Sequence, residues 1–115
     1  MPGLTTVYLP FMATLYVLME PKLSKVILEG YVLVSDTDIA AVKRELANHI
    51  LLTRQEEGCL VFEVSQDSND LNRFNVYEEF TSQEAFKVHQ QRLSAAEWGK
   101  ISSKLEKHYK TSGSG

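Results

Sequence analysis

The sequence predicts a single α+β domain. Apolar residues alternate with a period of two near residues 25–34, 59–66 and 73–80, as in half-buried strands. They recur at helical spacing over 39–55 and again from 85 to 105. The chain has 115 residues, 43% hydrophobic and 23% charged, which is the size and balance of one globular domain.

The bulk numbers exclude several classes. A net charge of −3, with no basic run or interleaved basic and aromatic patch, argues against a nucleic-acid surface. The one cysteine, Cys59, rules out an internal disulfide and a cysteine-based zinc cluster, so a cytoplasmic protein is the simplest reading. Residues 5–19 are almost uncharged but too short for a comfortable membrane span. They lack a basic leader and are interrupted by Pro10, so no signal peptide is expected.

Residues 13–19 read as a strand, and Pro21 marks a turn at 20–24. In residues 25–34, Val26, Leu28, Val32 and Val34 share one face, while Ile27, Tyr31 and Leu33 share the other. Apolar residues on both faces predict a central strand covered on both sides. Gly30 marks a bulge or a close approach. Ser35-Asp36-Thr37-Asp38 offers capping oxygens, and Ile39, Val42, Leu46, Ala47 and Ile50 then make an amphipathic helix that Gly58 closes.

The next strand, 59–66, places Leu60, Phe62 and Val64 on one face. The polar run Asp67-Ser68-Asn69-Asp70 makes it a hairpin with 73–80. Thr81-Ser82-Gln83-Glu84 reads as a capping box with Thr81 as the cap. Ala85, Phe86, His89 and Leu93 form the stripe of the following helix. Ser94-Ala95-Ala96-Glu97 breaks it, and Trp98, Ile101 and Leu105 continue in a second helix to about residue 109. Without the first strand, β-α-β-β-α is most of a ferredoxin-like fold.

His89 is the foremost candidate for chemistry: a base, or a donor to a substrate oxygen, on an apolar stripe. The plain alternative is a packed histidine bound to a carbonyl. Tyr77 and Glu78 fall on opposite faces of their strand. Tyr77 can bond a substrate oxygen, and Glu78, if inward, is a costly buried carboxylate that suits a base. Phe62, Phe74, Phe80 and Trp98 fill a core in the plain reading and line a substrate pocket in the functional one. His108 sits near the end of the last predicted helix, where a cation favours the dipole. The spacing of His49, His89 and His108 matches no metal motif, so no metal is expected.

With those residues placed, residues 25–109 resemble the antibiotic biosynthesis monooxygenase-type domain. The pattern is Glu57-Gly58-Cys59-Leu60, then Asn72-Arg73-Phe74 with Tyr77-Glu78, then Glu84-Ala85-Phe86 and His89. Asn48-His49 followed by Gln55-Glu56-Glu57-Gly58 is similar to the subgroup of small quinol monooxygenases and autoinducer-degrading isomerases. The resemblance implies a homodimeric α/β barrel, in which two four-stranded sheets pack face to face. It implies oxygenation without metal, flavin or haem, so no cofactor is expected. It strengthens His89 and His49, and the resulting candidates are His89, His49 and Tyr77 as catalytic, and Asn48, Phe62, Phe74, Glu78, Phe80 and Trp98 as substrate-binding.

Two departures stand out. Phe80 stands where the family usually has Trp, and the family's final strand has no obvious counterpart after the last helix. The N-terminal strand is therefore expected to replace it on the sheet edge. The division is 1–24 as an extension with that strand, 25–110 as the domain and 111–115 as a flexible tail. The expected function is a cofactor-independent monooxygenase acting on a quinol-like or small aromatic substrate. The rivals are a non-catalytic ligand-binding or assembly module, an isomerase of a small carbonyl compound and, more weakly, a haem-degrading relative.

Overall fold

The computed structural model describes residues 24–113. The elements run β1 (Val26–Leu33), α1 (Ile39–Arg54), β2 (Cys59–Gln66), β3 (Arg73–Phe80), α2 (Gln83–Ala95), α3 (Glu97–Ser102) and β4 (Glu106–Ser112). The strands form one antiparallel sheet in the order β2-β3-β1-β4, the ferredoxin-like arrangement. Helices cover one face. There Val32, Val34, Val42, Leu46, Phe74 and Leu105 form the main core cluster, with Trp98 and Ile101 packed against it.

The edge beside β1, where the N-terminal strand was expected, is filled by β4. The proposed N-terminal strand, residues 13–19, lies outside the described residues. The expected helix to residue 109 ends at Ser102 instead. The reason is chemical. β4 reads Glu-Lys-His-Tyr-Lys-Thr-Ser and is exposed along its length. Such a charged edge discourages further pairing, and it carries no hydrophobic alternation to announce itself. His108 is therefore a strand residue, with its ring stacked 4.6 Å from that of Tyr31.

Gly30 marks a close approach. Its φ is +153°, and a Cβ there would come 1.9 Å from the His108 carbonyl oxygen across the β1–β4 pair. Gly58 has a packing reason rather than a capping one: a Cβ would meet the Ala85 Cβ at 2.3 Å.

The hairpin has the predicted limits. Asp67 secures its turn by accepting from the backbone N–H groups of Asn69 and Asp70 and from the Asn75 side chain. Leu60 departs from expectation. A bulge between Cys59 and Val61 interrupts the register, and Leu60 is 53% exposed rather than aligned with Phe62. The carbonyl of Phe62 on this edge strand accepts both Nε and an NH2 group of Arg54.

The caps also differ. Ser82, not Thr81, caps α2 by accepting from the Ala85 N–H. Neither Asp38 nor Ala96 makes a side-chain cap, and Ser94 bonds back to the Gln91 carbonyl instead. The break between α2 and α3 falls at Ala96, as the sequence suggested.

Gly30→Ala is expected to cost at least about 2 kcal/mol in urea denaturation, since it adds overpacking to a strained φ. Unchanged stability would contradict the β1–β4 contact.

Candidate functional site

Strand alternation divides the candidate residues. Even-numbered positions of β3 point under the helices, so Phe74, Val76, Glu78 and Phe80 are all buried. Odd-numbered positions point to the open face of the sheet. Tyr77 is among these, and its OH donates to Glu79, which also pairs with Lys25. Tyr77 is thus not brought to the site, because it is an odd residue on a strand whose even face is covered. Arg73 lies on the same open face, 3.8 Å over the Tyr31 ring.

Between sheet and helices lies a cavity of about 400 Å³, within the range of small-molecule sites. Leu28, Phe62, Phe74, Val76 and Glu78 form its sheet wall. Val42, Leu46 and His49 contribute from α1, and Leu93 and Trp98 from beyond. Gln90, Ser102, Lys107 and Tyr109 add polar groups to the lining. Asn48 is exposed and does not line it. Phe80 is buried behind the lining, 4.8 Å from the His89 ring and 5.6 Å from Phe86.

His49 is buried, stacked on Trp98 at 4.8 Å and edge-on to Phe62 at 5.2 Å. Burial, reinforced by the neighbouring His89 and Arg92, lowers its pKa to about 3. It is therefore a neutral imidazole at working pH. Its Nδ1 has no hydrogen-bond partner among the described residues.

Glu78 faces the cavity at 7% exposure. Its Oε1 has no hydrogen-bond partner among the described residues. Burial, with a further push from Glu56, raises its pKa to about 7. A carboxyl poised there takes or gives a proton at neutral pH.

His89 sits behind this wall, 1% exposed, and does not itself line the cavity. Its Nδ1 is 2.8 Å from Glu56 Oε1, and its Nε2 is 3.9 Å from Glu78 Oε1. Burial depresses its pKa, and the Glu56 carboxylate only partly offsets that. Glu56 Oε2 accepts from Arg92 Nε, and Arg92 reaches on to the Thr53 hydroxyl at 2.9 Å.

The structure therefore gathers His49, Phe62, Phe74, Glu78 and Trp98 around one cavity, with His89 and Phe80 behind it. Sequence reasoning assigned no role to Glu56 or Tyr109. Glu56 lies in the turn after α1, where no periodicity selects it. Tyr109 was hidden by the helix expected there.

The sequence profile of the antibiotic biosynthesis monooxygenase family matches residues 26–100. No match was found among curated proteins. One similar structure is a conserved protein of unknown function from Bacteroides thetaiotaomicron, for which an oxidoreductase activity is suggested. It shares 19% identity over 80% of this chain and 99% of that one, with a TM-score of 0.69. A protein from Nitrosomonas europaea, provisionally described as an antibiotic biosynthesis monooxygenase, shares 18% identity over 82% and 90% of the two chains, at a TM-score of 0.61. One from Deinococcus radiodurans, provisionally given the same description, shares 23% over 78% and 90%, at 0.59. Identities this low speak for the fold alone.

The raised pKa of Glu78 has a thermodynamic signature. An acid held higher in the folded state than its ordinary 4.5 destabilises the fold as pH rises from about 4.5 through about 7. The full penalty is at most about 3 kcal/mol. The lowered pKa values of His49 and His89 act in the opposite sense, costing stability below about 6.5. The wild type is therefore to be compared with Glu78→Gln at each pH by denaturant unfolding. The variant's relative stability is expected to climb between pH 4.5 and 7 and to level off above. A constant difference would contradict the buried carboxyl.

Proposed function

The chain belongs to the antibiotic biosynthesis monooxygenase family, and we propose that it is a cofactor-independent monooxygenase acting on a quinol-like or small aromatic substrate in the cavity that Glu78 faces. One observation carries this reading: a carboxyl with a pKa of about 7, one oxygen of which has no partner among the described residues, lines a mostly apolar cavity sized for a small ring system.

The chemistry follows from that placement. The Glu78 carboxylate takes a proton from the substrate, leaving an electron-rich anion. In the neutral, apolar surroundings of Phe62, Phe74 and His49 the anion is poorly solvated by water and gives its electrons readily to O2. A C–O bond forms, and the resulting peroxide is protonated. Loss of the remaining proton on that carbon breaks the O–O bond, releasing water and leaving a carbonyl. The substrate supplies all four electrons, so one oxygen atom ends in the product and one in water. Neutral His49, whose Nδ1 has no partner among the described residues, suits a hydrogen bond to a substrate hydroxyl.

The second reading, a ligand-binding module without turnover, draws support from Phe80. This residue packs against His89 and offers no indole N–H where the family usually has one. We also infer a homodimer formed through the open face of the sheet. Ile27, Tyr31, Leu33 and Val61 are only half-buried there. A second copy covering about 800 Å² per partner is the usual scale for a stable contact. Sizing chromatography is expected to show the dimer, and a monodisperse monomer would count against it.

Oxygen uptake with a panel of hydroquinones and naphthohydroquinones tests the activity. The wild type is expected to consume O2, with kcat/KM rising through pH 7 as Glu78 ionises. Glu78→Gln is expected to lose at least about 100-fold, the usual worth of a positioned base. Quenching of Trp98 fluorescence by the same compounds, without uptake at any pH, would instead establish the binding module.

A further inference from the structure

A general base that works out of contact with bulk water needs somewhere to keep its proton. His89 and Glu56 are arranged for that task, and neither touches the cavity directly. The imidazole is 1% exposed and lies between two carboxyl groups: Glu56 from the turn after α1, and Glu78 from β3. The other groups facing it are the His49 ring at 6.0 Å, the Phe62 ring at 5.7 Å and the Phe80 ring at 4.8 Å. Arg92 adds a nearby cation acting on it.

A neutral imidazole carries one N–H, and its partners decide on which nitrogen. Glu56 is held by the Arg92 guanidinium, which can only donate. Its other oxygen, 2.8 Å from His89 Nδ1, therefore accepts. The proton belongs on Nδ1, and the lone pair of Nε2 is turned to Glu78. The 3.9 Å gap to Glu78 Oε1 is long for a hydrogen bond, of the kind that tightens once a substrate fills the site.

We propose that Glu56 is a positioning residue whose carboxylate fixes the Nδ1–H tautomer of His89, so that Glu78 and His89 Nε2 together hold the substrate's proton and return it to reduced oxygen. This rests on the oxygenase reading above. The proton leaves the substrate for Glu78, passes to or is shared with Nε2, and comes back to the peroxide formed from O2. No net proton enters or leaves, in keeping with the overall reaction.

Glu56→Gln tests this with almost no change of shape. Arg92 must then take the amide oxygen, which leaves the amide NH2 against His89 Nδ1. That N–H donates, so the imidazole is expected to flip to the Nε2–H tautomer and lose its acceptor toward Glu78. In 15N NMR of histidine-labelled protein, wild-type His89 is expected as Nδ1–H and the variant as Nε2–H. With the best quinol, kcat is expected to fall about ten-fold while KM stays within about two-fold. Adding Arg92→Met frees the amide to turn its oxygen to His89, and should restore the Nδ1–H tautomer and part of kcat.

A wild-type Nε2–H tautomer, or an unchanged one in Glu56→Gln, would overturn the positioning role. So would a flipped tautomer with unchanged kcat. If the tautomers behave as expected but the wild type oxidises no quinol, the positioning stands and the oxygenase reading falls.

Discussion

The carboxyl of Glu78 is buried against an apolar cavity with one oxygen unpartnered among the described residues, and the site is arranged around that cost. A carboxylate so placed would ordinarily be intolerable. It is made tolerable by becoming neutral near pH 7, and the nearby Glu56 charge pushes it further that way. His89 lies between the two carboxyls, 2.8 Å from one and 3.9 Å from the other. Arg92 neutralises the outer one. The result is a line of groups running from the α1–β2 turn to the cavity wall.

The fold supplies this line through strand parity. β3 lies between β1 and β2, so each even residue of β3 is covered by helices and flanked on both sides. Leu28 and Phe62 stand directly across from Glu78, giving it apolar neighbours on both flanks. The bulge at Leu60 sets the phase of β2, placing Phe62 inward rather than outward. Gly58 lets α2 approach closely, since any Cβ would strike Ala85, and α2 is the helix that carries His89. Energetics and placement are thus one matter: the residues that fix the register also set the charge state of Glu78.

Much of this was legible in the sequence. The hairpin limits and the α1 helix follow from periodicity, and parity along β3 places Tyr77 and Glu78 on opposite faces; which of the two is inward is visible only with the helices in place. Two kinds of feature were not legible. β4 carries charge on both faces, so its pairing is visible only once β1 is seen to need an edge partner, a need that the apolar residues 13–19 meet better on periodicity alone. Long-range polar contacts were the other. Glu56 and His89 are far apart in the chain, and no spacing rule joins a turn residue to a helix stripe. Tyr77 shows the limit of motif reasoning. It belongs to the family-like pattern, yet parity sends it to the face away from the cavity. The choice of Ser82 over Thr81 as a helix cap is a one-residue matter that composition does not decide.

Glu78 can be observed directly. With side-chain 13C-labelled glutamate, the carboxyl resonance of Glu78, assigned by its loss in Glu78→Gln, can be followed from pH 4 to 9. A midpoint near 7 is expected. A midpoint in the ordinary range near 4.5 would mean that the carboxylate is solvated, and the proposed acid–base role at the cavity would fall with it.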